Sequence, residues 1–112
     1  MLPLSTTVFH MLLALSEGER HGYALKRELA RRTGGKLNPG PGVLYGSINK
    51  MVEQGLIEES DERPDAHLDD ERRRYYRITP FGRRAAQAEA VRMRDLVEMA
   101  RKRFGLPEPR EV

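Results

Sequence analysis

Between Pro41 and Gln54 the chain carries Gly42, Val43, Tyr45, Gly46, Asn49 and Lys50 at spacings that place them on the outward and flanking faces of one helix. These residue types suit a polyanion with readable edges. An Asn amide can form a bidentate pair with adenine, and a Lys can reach a guanine or a phosphate. Tyr45 can donate its hydroxyl to a phosphate, or wedge its ring half-buried against the preceding helix. Backbone N–H groups near Gly40 to Gly42 face outward at the helix start and suit a phosphate oxygen. Gly46 is the odd member, because an exposed mid-helix Gly costs roughly 1 kcal/mol relative to Ala. A surface helix accepts that cost most readily where something bulky must approach its backbone, and a nucleic-acid groove is one such thing.

A second basic group lies further along. Arg72, Arg73 and Arg74 can track a flanking phosphate or enter a narrow minor groove. Asp69, Asp70 and Glu71 stand beside them as alternative partners, but exposed pairs of that kind are worth only about 0–1 kcal/mol. Tyr23, at the start of the second helix, and Lys36, in the short connection after it, complete the candidate DNA contacts. The three histidines, His10, His21 and His67, lack the i, i+3 or i, i+4 companions of a helical metal site. No nucleophile triad, phosphate loop or cofactor motif is visible either, so neither a metal nor a cofactor nor an enzyme activity is expected.

Composition sets the frame for these residues. The chain has 112 residues, 38% hydrophobic and 33% charged, which fits one small, polar-surfaced helical domain with a modest core. No apolar run approaches the ~18 residues that span a bilayer, and Met1 to Ser5 does not read as a signal peptide. The absence of Cys removes disulfides and thiolate metal sites and fits a cytoplasmic location. The net charge of +3 hides a block reversal. Eight acids and one Arg occupy Glu58 to Glu71, then six Arg and no acid occupy Arg72 to Arg84. Such a reversal reads either as a self-neutralising surface or as a basic patch for a polyanion.

The elements follow from periodicity and end signals. Thr6 to Ser16 reads as a first helix, with Ser5 as N-cap and Val8, Met11, Leu12 and Leu15 on one face. His21 to Thr33 reads as a second, with Leu25, Leu29 and, at the edge of the stripe, Tyr23 directed inward, and with a turn or capping role for His21. The third, Pro41 to Gln54, has its apolar stripe at Leu44, Ile48, Met51 and Val52. Leu56 to Ser60 and Arg73 to Thr79 read as two strands of a hairpin around an aperiodic polar loop, with Tyr76 and Tyr75 on opposite sides. A last helix begins at Thr79-Pro80 and runs to about Phe104. The order is that of a winged helix-turn-helix: mainly α with a small β-hairpin.

Along the last helix Ala86, Ala90, Met93, Val97, Ala100 and Phe104 alternate spacings of four and three, and Leu96 and Met99 widen this seam. The seam is longer than a three-helix core can cover. The same helix of a second subunit is the simplest cover, and packing along the first helix is the alternative. The chain thus divides into a DNA-binding domain (1–79), a dimerisation helix (80–104) and a disordered tail (105–112).

Four segments, in order, carry a family resemblance: His21-Gly22-Tyr23-Ala24-Leu25, Gly40 to Gly46, Gly55-Leu56-Ile57 and Arg73 to Gly82. Together they resemble the PadR-like transcriptional regulators over about Ser5 to Arg101. The resemblance implies a bacterial or archaeal homodimer, usually a repressor, on a palindromic operator in double-stranded DNA, with dimerisation through the C-terminal helix. It places Leu44-Tyr45-Gly46 on the recognition helix. The single helix after the wing matches the small subgroup. Family members often respond to small hydrophobic effectors at the dimer interface; this chain lacks the Trp that some of them use for stacking. The competing reading is a winged-helix module that binds protein, which the acidic Glu58 to Glu71 stretch favours because it would repel DNA.

Overall fold

The computed structural model describes residues 2–60 and 74–107. Its elements, in chain order, are α1 (Thr6–Leu15), β1 (Arg20–His21), α2 (Gly22–Arg32), α3 (Pro41–Glu53), β2 (Ile57–Ser60), β3 (Tyr75–Ile78) and α4 (Pro80–Phe104). This is a mainly helical winged fold, as the periodicities predict. Three helix starts are set by side-chain caps that satisfy otherwise orphaned N–H groups. Ser5 Oγ accepts from the Val8 N–H at 3.2 Å, His21 Nδ1 from Ala24 at 3.2 Å, and Thr79 Oγ1 from Gly82 at 2.9 Å.

The core sits where the apolar stripes converge. Met11, Leu12 and Leu15 of α1, Leu25 and Leu29 of α2, and Leu44, Ile48 and Met51 of α3 are buried together with Leu56, Ile57, Tyr76 and Ala85. Each large member contributes roughly 1.5–3 kcal/mol by leaving water. Two expected members behave differently. Val52 is 38% exposed, because it lies at the edge of the stripe, one helical step from Met51. Tyr23 is 57% exposed rather than inward, its ring lying under the Arg27 guanidinium at 5.3 Å.

The sheet has three strands, not the two of a simple hairpin. The order is β1-β3-β2, all antiparallel, with His21 opposite Tyr75 and Ile57 opposite Ile78. The two-residue β1 is too short to show alternation in sequence. Its pairing makes β3 the central strand, so Tyr75 and Tyr76 are both buried instead of one facing out. The Tyr75 ring packs edge-on against His21, with ring centroids 5.5 Å apart. Elsewhere on the surface Glu28 gathers Arg31, Arg32 and Arg20. The hydrogen bond from Arg31, with support from the other two, holds the Glu28 carboxyl at a pKa of about 2, so α2 keeps this clasp well into acid.

One junction fixes the site relative to everything else. Gly55 takes φ +78° just past α3, where its chain reversal lets the Leu56 N–H bond back to the Met51 carbonyl at 3.0 Å. Thr79 then closes on the same two residues. Its hydroxyl donates to the Gly55 carbonyl at 2.6 Å, and its N–H donates to the Leu56 carbonyl at 3.1 Å. Gly82, in the first turn of α4, lies so close that a Cβ there would sit 2.0 Å from the Leu56 oxygen and 3.0 Å from Ile78 Cγ1. Backbone cannot yield cheaply. Gly82→Ala is therefore expected to lower unfolding free energy by about 2–3 kcal/mol in urea titrations, as overpacking does. Wild-type stability in that variant would mean that α4 does not need this close approach.

Candidate nucleic-acid interface

α3 presents the face expected of it. Leu44, Ile48 and Met51 point into the core, while Gly42, Val43, Tyr45, Gly46, Asn49 and Lys50 are all exposed. The side chains of Asn49 and Lys50 have no hydrogen bond or ion pair among the described residues, so their polar groups are available to a ligand. Unlike α1, α2 and α4, α3 starts without a side-chain cap: Gly40 is its N-cap and Pro41 follows. The N–H groups of Gly42 and Val43 are therefore left for an external acceptor, with the helix dipole favouring an anion there. The approach from α2 is shaped by Gly34 and Gly35. The loop is tied down by Thr33, whose hydroxyl accepts from the Leu37 N–H at 2.9 Å. The Lys26 ammonium donates to Asn38 at 3.0 Å, and Lys36 remains exposed beside them.

The glycines separate two roles. Gly22 is needed from inside, since a Cβ there would lie 2.7–2.8 Å from the Tyr45 ring and hydroxyl. Tyr45 thus leans on the start of α2 with 45% of its surface still exposed, which combines the wedged and the outward readings. Gly46 is different. Nothing lies within 4 Å of where its Cβ would be, and its backbone is ordinary helix. No packing among the described residues accounts for it.

The hairpin brings Arg74 to the sheet end, exposed and 3.7 Å from Glu59 on the neighbouring strand. Arg77 pairs with Glu58 at 2.8 Å and lies 3.8 Å from Glu19. Among the described residues, Arg74 and Arg77 thus face acids on β2 and at Glu19. Arg72 and Arg73, the loop of 61–70 and the alternative partners Asp69, Asp70 and Glu71 lie outside the described residues. On the other flank of α3, Ser47, Lys50 and Gln54 border a cleft of about 350 Å³ against Pro3 and Ser5. Ser47 and Gln54 were not among the sequence candidates, nor was Arg27 beside Tyr23. The 100° helical increment places Ser47 and Gln54 next to Lys50, and that signal could have found them.

Along α4, Gly82, Ala85 and Glu89 are buried and Ala86 is packed against the core. Met93 and Ala100 are partly covered, whereas Ala90, Leu96, Val97 and Phe104 are exposed, Phe104 by 86%.

Gly46→Ala separates ligand approach from folding. It is expected to raise stability by roughly 1 kcal/mol, because Ala suits a helix interior better and meets no clash. It should also weaken DNA binding at least severalfold, as a methyl group raises the exposed face of α3 between Tyr45 and Asn49. Thermal melts and fluorescence-anisotropy titrations read the two effects. A stabilised variant with undiminished affinity would remove Gly46 from the interface.

Comparison with known proteins gives a consistent picture. The family model described as "Transcriptional regulator PadR-like family" matches residues 11–88. The transcriptional regulator Rv3488 of Mycobacterium tuberculosis is 35% identical over 96 residues, which cover 86% of this chain and 80% of that protein. An uncharacterised 37.1 kDa protein of a Streptomyces fradiae transposon is 33% identical over 83 residues; the match covers 74% of this chain but 21% of that protein. Among solved structures, a PadR family regulator from Eggerthella lenta superposes with a TM-score of 0.71 at 24% identity, covering 91% of this chain and 84% of its own. RosR of H. salinarum superposes at 0.63 with 27% identity, covering 98% and 86%.

Proposed function

From the premise that the chain belongs to the PadR-like family of transcriptional regulators, we propose that it is a homodimeric repressor of a palindromic operator. α3 enters the major groove, where Asn49 reads a base edge and Lys50 a base or phosphate. The N–H groups at Gly42 and Val43 and the Tyr45 hydroxyl take flanking phosphates. Tyr23 and Lys36 extend the backbone contacts to the α2 side. Arg72, Arg73 and Arg74 place the wing on the neighbouring backbone or minor groove. The observation that carries the reading is the open surface at Gly46, flanked by unpaired Asn49 and Lys50 on a helix whose first turn has no side-chain cap.

Dimerisation runs through α4. Its first half lies on α1, and the same stripe continues past the body as Leu96, Val97, Ala100 and Phe104. Ala86, Ala90 and Met93 form the part of the seam nearest the body. Beside them, clefts of about 320–330 Å³ along α1 are bordered by Phe9, Leu13 and Met93 and by Leu12, Ile78 and Ala86. A second copy's α4 end, with exposed Leu96, Val97 and Phe104, would lie against the apolar side of these clefts, and two such exchanges make a closed, symmetric pair. The protein-binding alternative gains little from the acids on β2, because Glu58 and Glu59 are engaged by Arg77 and Arg74.

Selection of bound sequences from random duplex DNA tests the proposal. The expected outcome is a palindrome with half-sites about 10 bp apart, centre to centre. Recovery of unenriched sequence would overturn sequence-specific recognition, and enrichment of a single half-site would overturn the dimer.

A further inference from the structure

The arginines of α2 are held in two different ways. Glu28 takes Arg31 at 2.8 Å and Arg32 at 3.0 Å, and Arg20 stands 3.7 Å from the same carboxylate. Arg27 is exposed and has no acid partner among the described residues. Its guanidinium carbon instead lies 5.3 Å from the centroid of the Tyr23 ring. Stacking engages the face of a guanidinium and leaves its rim of N–H donors for a planar or tetrahedral anion. Tyr23 is 57% exposed, so its ring adds little to the core and serves to orient Arg27.

The helical increment places this pair. At 100° per residue Tyr23 and Arg27 lie on the outward side of α2, between Lys26 and Arg31. Lys26 marks the side towards α3, since it donates to Asn38, just before that helix, at 3.0 Å. Gly22, next to Tyr23 in the chain, lies directly against the Tyr45 ring of α3. The stacked pair thus borders the flank of α3 that carries Tyr45, with exposed Lys36 in the connection between the two helices. Lys26, Arg27 and Lys36 have no acid partner among the described residues. Glu28, the acid of α2, sits a further 100° round the helix, engaged by Arg31 and Arg32.

We propose that Arg27 binds a phosphate of the DNA backbone beside the groove that α3 enters, and that Tyr23 is the positioning residue that holds its guanidinium for that contact. The proposal rests on the DNA-binding reading above and gives Tyr23 its task within it. A backbone contact of this kind adds affinity without reading sequence.

The test titrates the full chain against the selected operator and an unrelated duplex, at several salt concentrations, by fluorescence anisotropy. Arg27→Gln should weaken both complexes about five- to tenfold and leave the ratio between them within about twofold of wild type. The slope of log affinity against log salt should become shallower by about 0.9 for each bound subunit. Arg31→Gln removes the same charge from the same helix at a residue that Glu28 already holds, and should change the slope by less than half as much. Tyr23→Leu should cost about three- to fivefold, and almost nothing further in the Arg27→Gln background. Tyr23→Phe keeps the ring and loses the hydroxyl, and should bind within about 1.5-fold of wild type. Both side chains are exposed, so these variants are expected to fold, which thermal melts check. An unchanged salt slope in Arg27→Gln would overturn the phosphate contact, and a Tyr23→Phe variant as weak as Tyr23→Leu would overturn the positioning role. Failure of the wild-type protein to bind any duplex would instead sink the DNA-binding reading. The Arg27 Nε–Hε signal, followed by NMR with inorganic phosphate, would then decide the site: a larger shift than at Arg31 supports it, and no shift removes it.

Discussion

The contact between Gly55-Leu56 and Thr79-Gly82 governs the arrangement of the whole molecule. Four elements end or begin there: α3 stops, β2 starts, β3 stops and α4 starts. Two backbone carbonyls are satisfied by one threonine, and a glycine on α4 admits the strand root to within less than a side chain's thickness. The angle at which α4 leaves the body is therefore set by the same atoms that terminate α3. A rotation of the last helix cannot occur without straining the end of the proposed recognition helix. Two of the bonds involved are backbone bonds made by buried Leu56, where losing one without replacement is costly.

From that junction α3 runs outward with its two sides in contrast. The inner side is ordinary core, three large apolar residues with no exposed surface to speak of. The outer side gives up stability at Gly46, leaves its first N–H groups uncapped and holds polar groups without partners. Local choices that weaken a helix usually mark where function sets the sequence. Elsewhere Glu28, Glu58, Glu59 and Glu98 are each engaged by an arginine.

The parts of this fold that were legible in sequence are those decided within a few residues. Ser5, His21 and Thr79-Pro80 announce helix starts because a cap acts on an N–H two or three positions away. Leu44, Ile48 and Met51 announce a buried face because helical spacing alone aligns them. What escaped was decided between elements. β1 is two residues long and exists only because β3 accepts it. Tyr75 is buried by that same partner, and Tyr23 is held out over solvent by Arg27. The reason for Gly22 is a ring from another helix, Tyr45. Along α4 the apolar spacing was plain, but the division of the stripe between α1 and open surface depends on where the body ends.

The chain contains no cysteine, so one introduced thiol can carry a probe to a known place. Glu53→Cys lies in the last turn of α3, exposed and one turn beyond Asn49. With an iron chelate attached, it can be made to cut DNA locally in the complex with the selected duplex. The expected pattern is two cleavage clusters on each duplex, about one helical turn apart and related by the operator's symmetry. Intact binding with diffuse, absent or single-cluster cleavage would contradict a pair of α3 helices seated in successive major grooves.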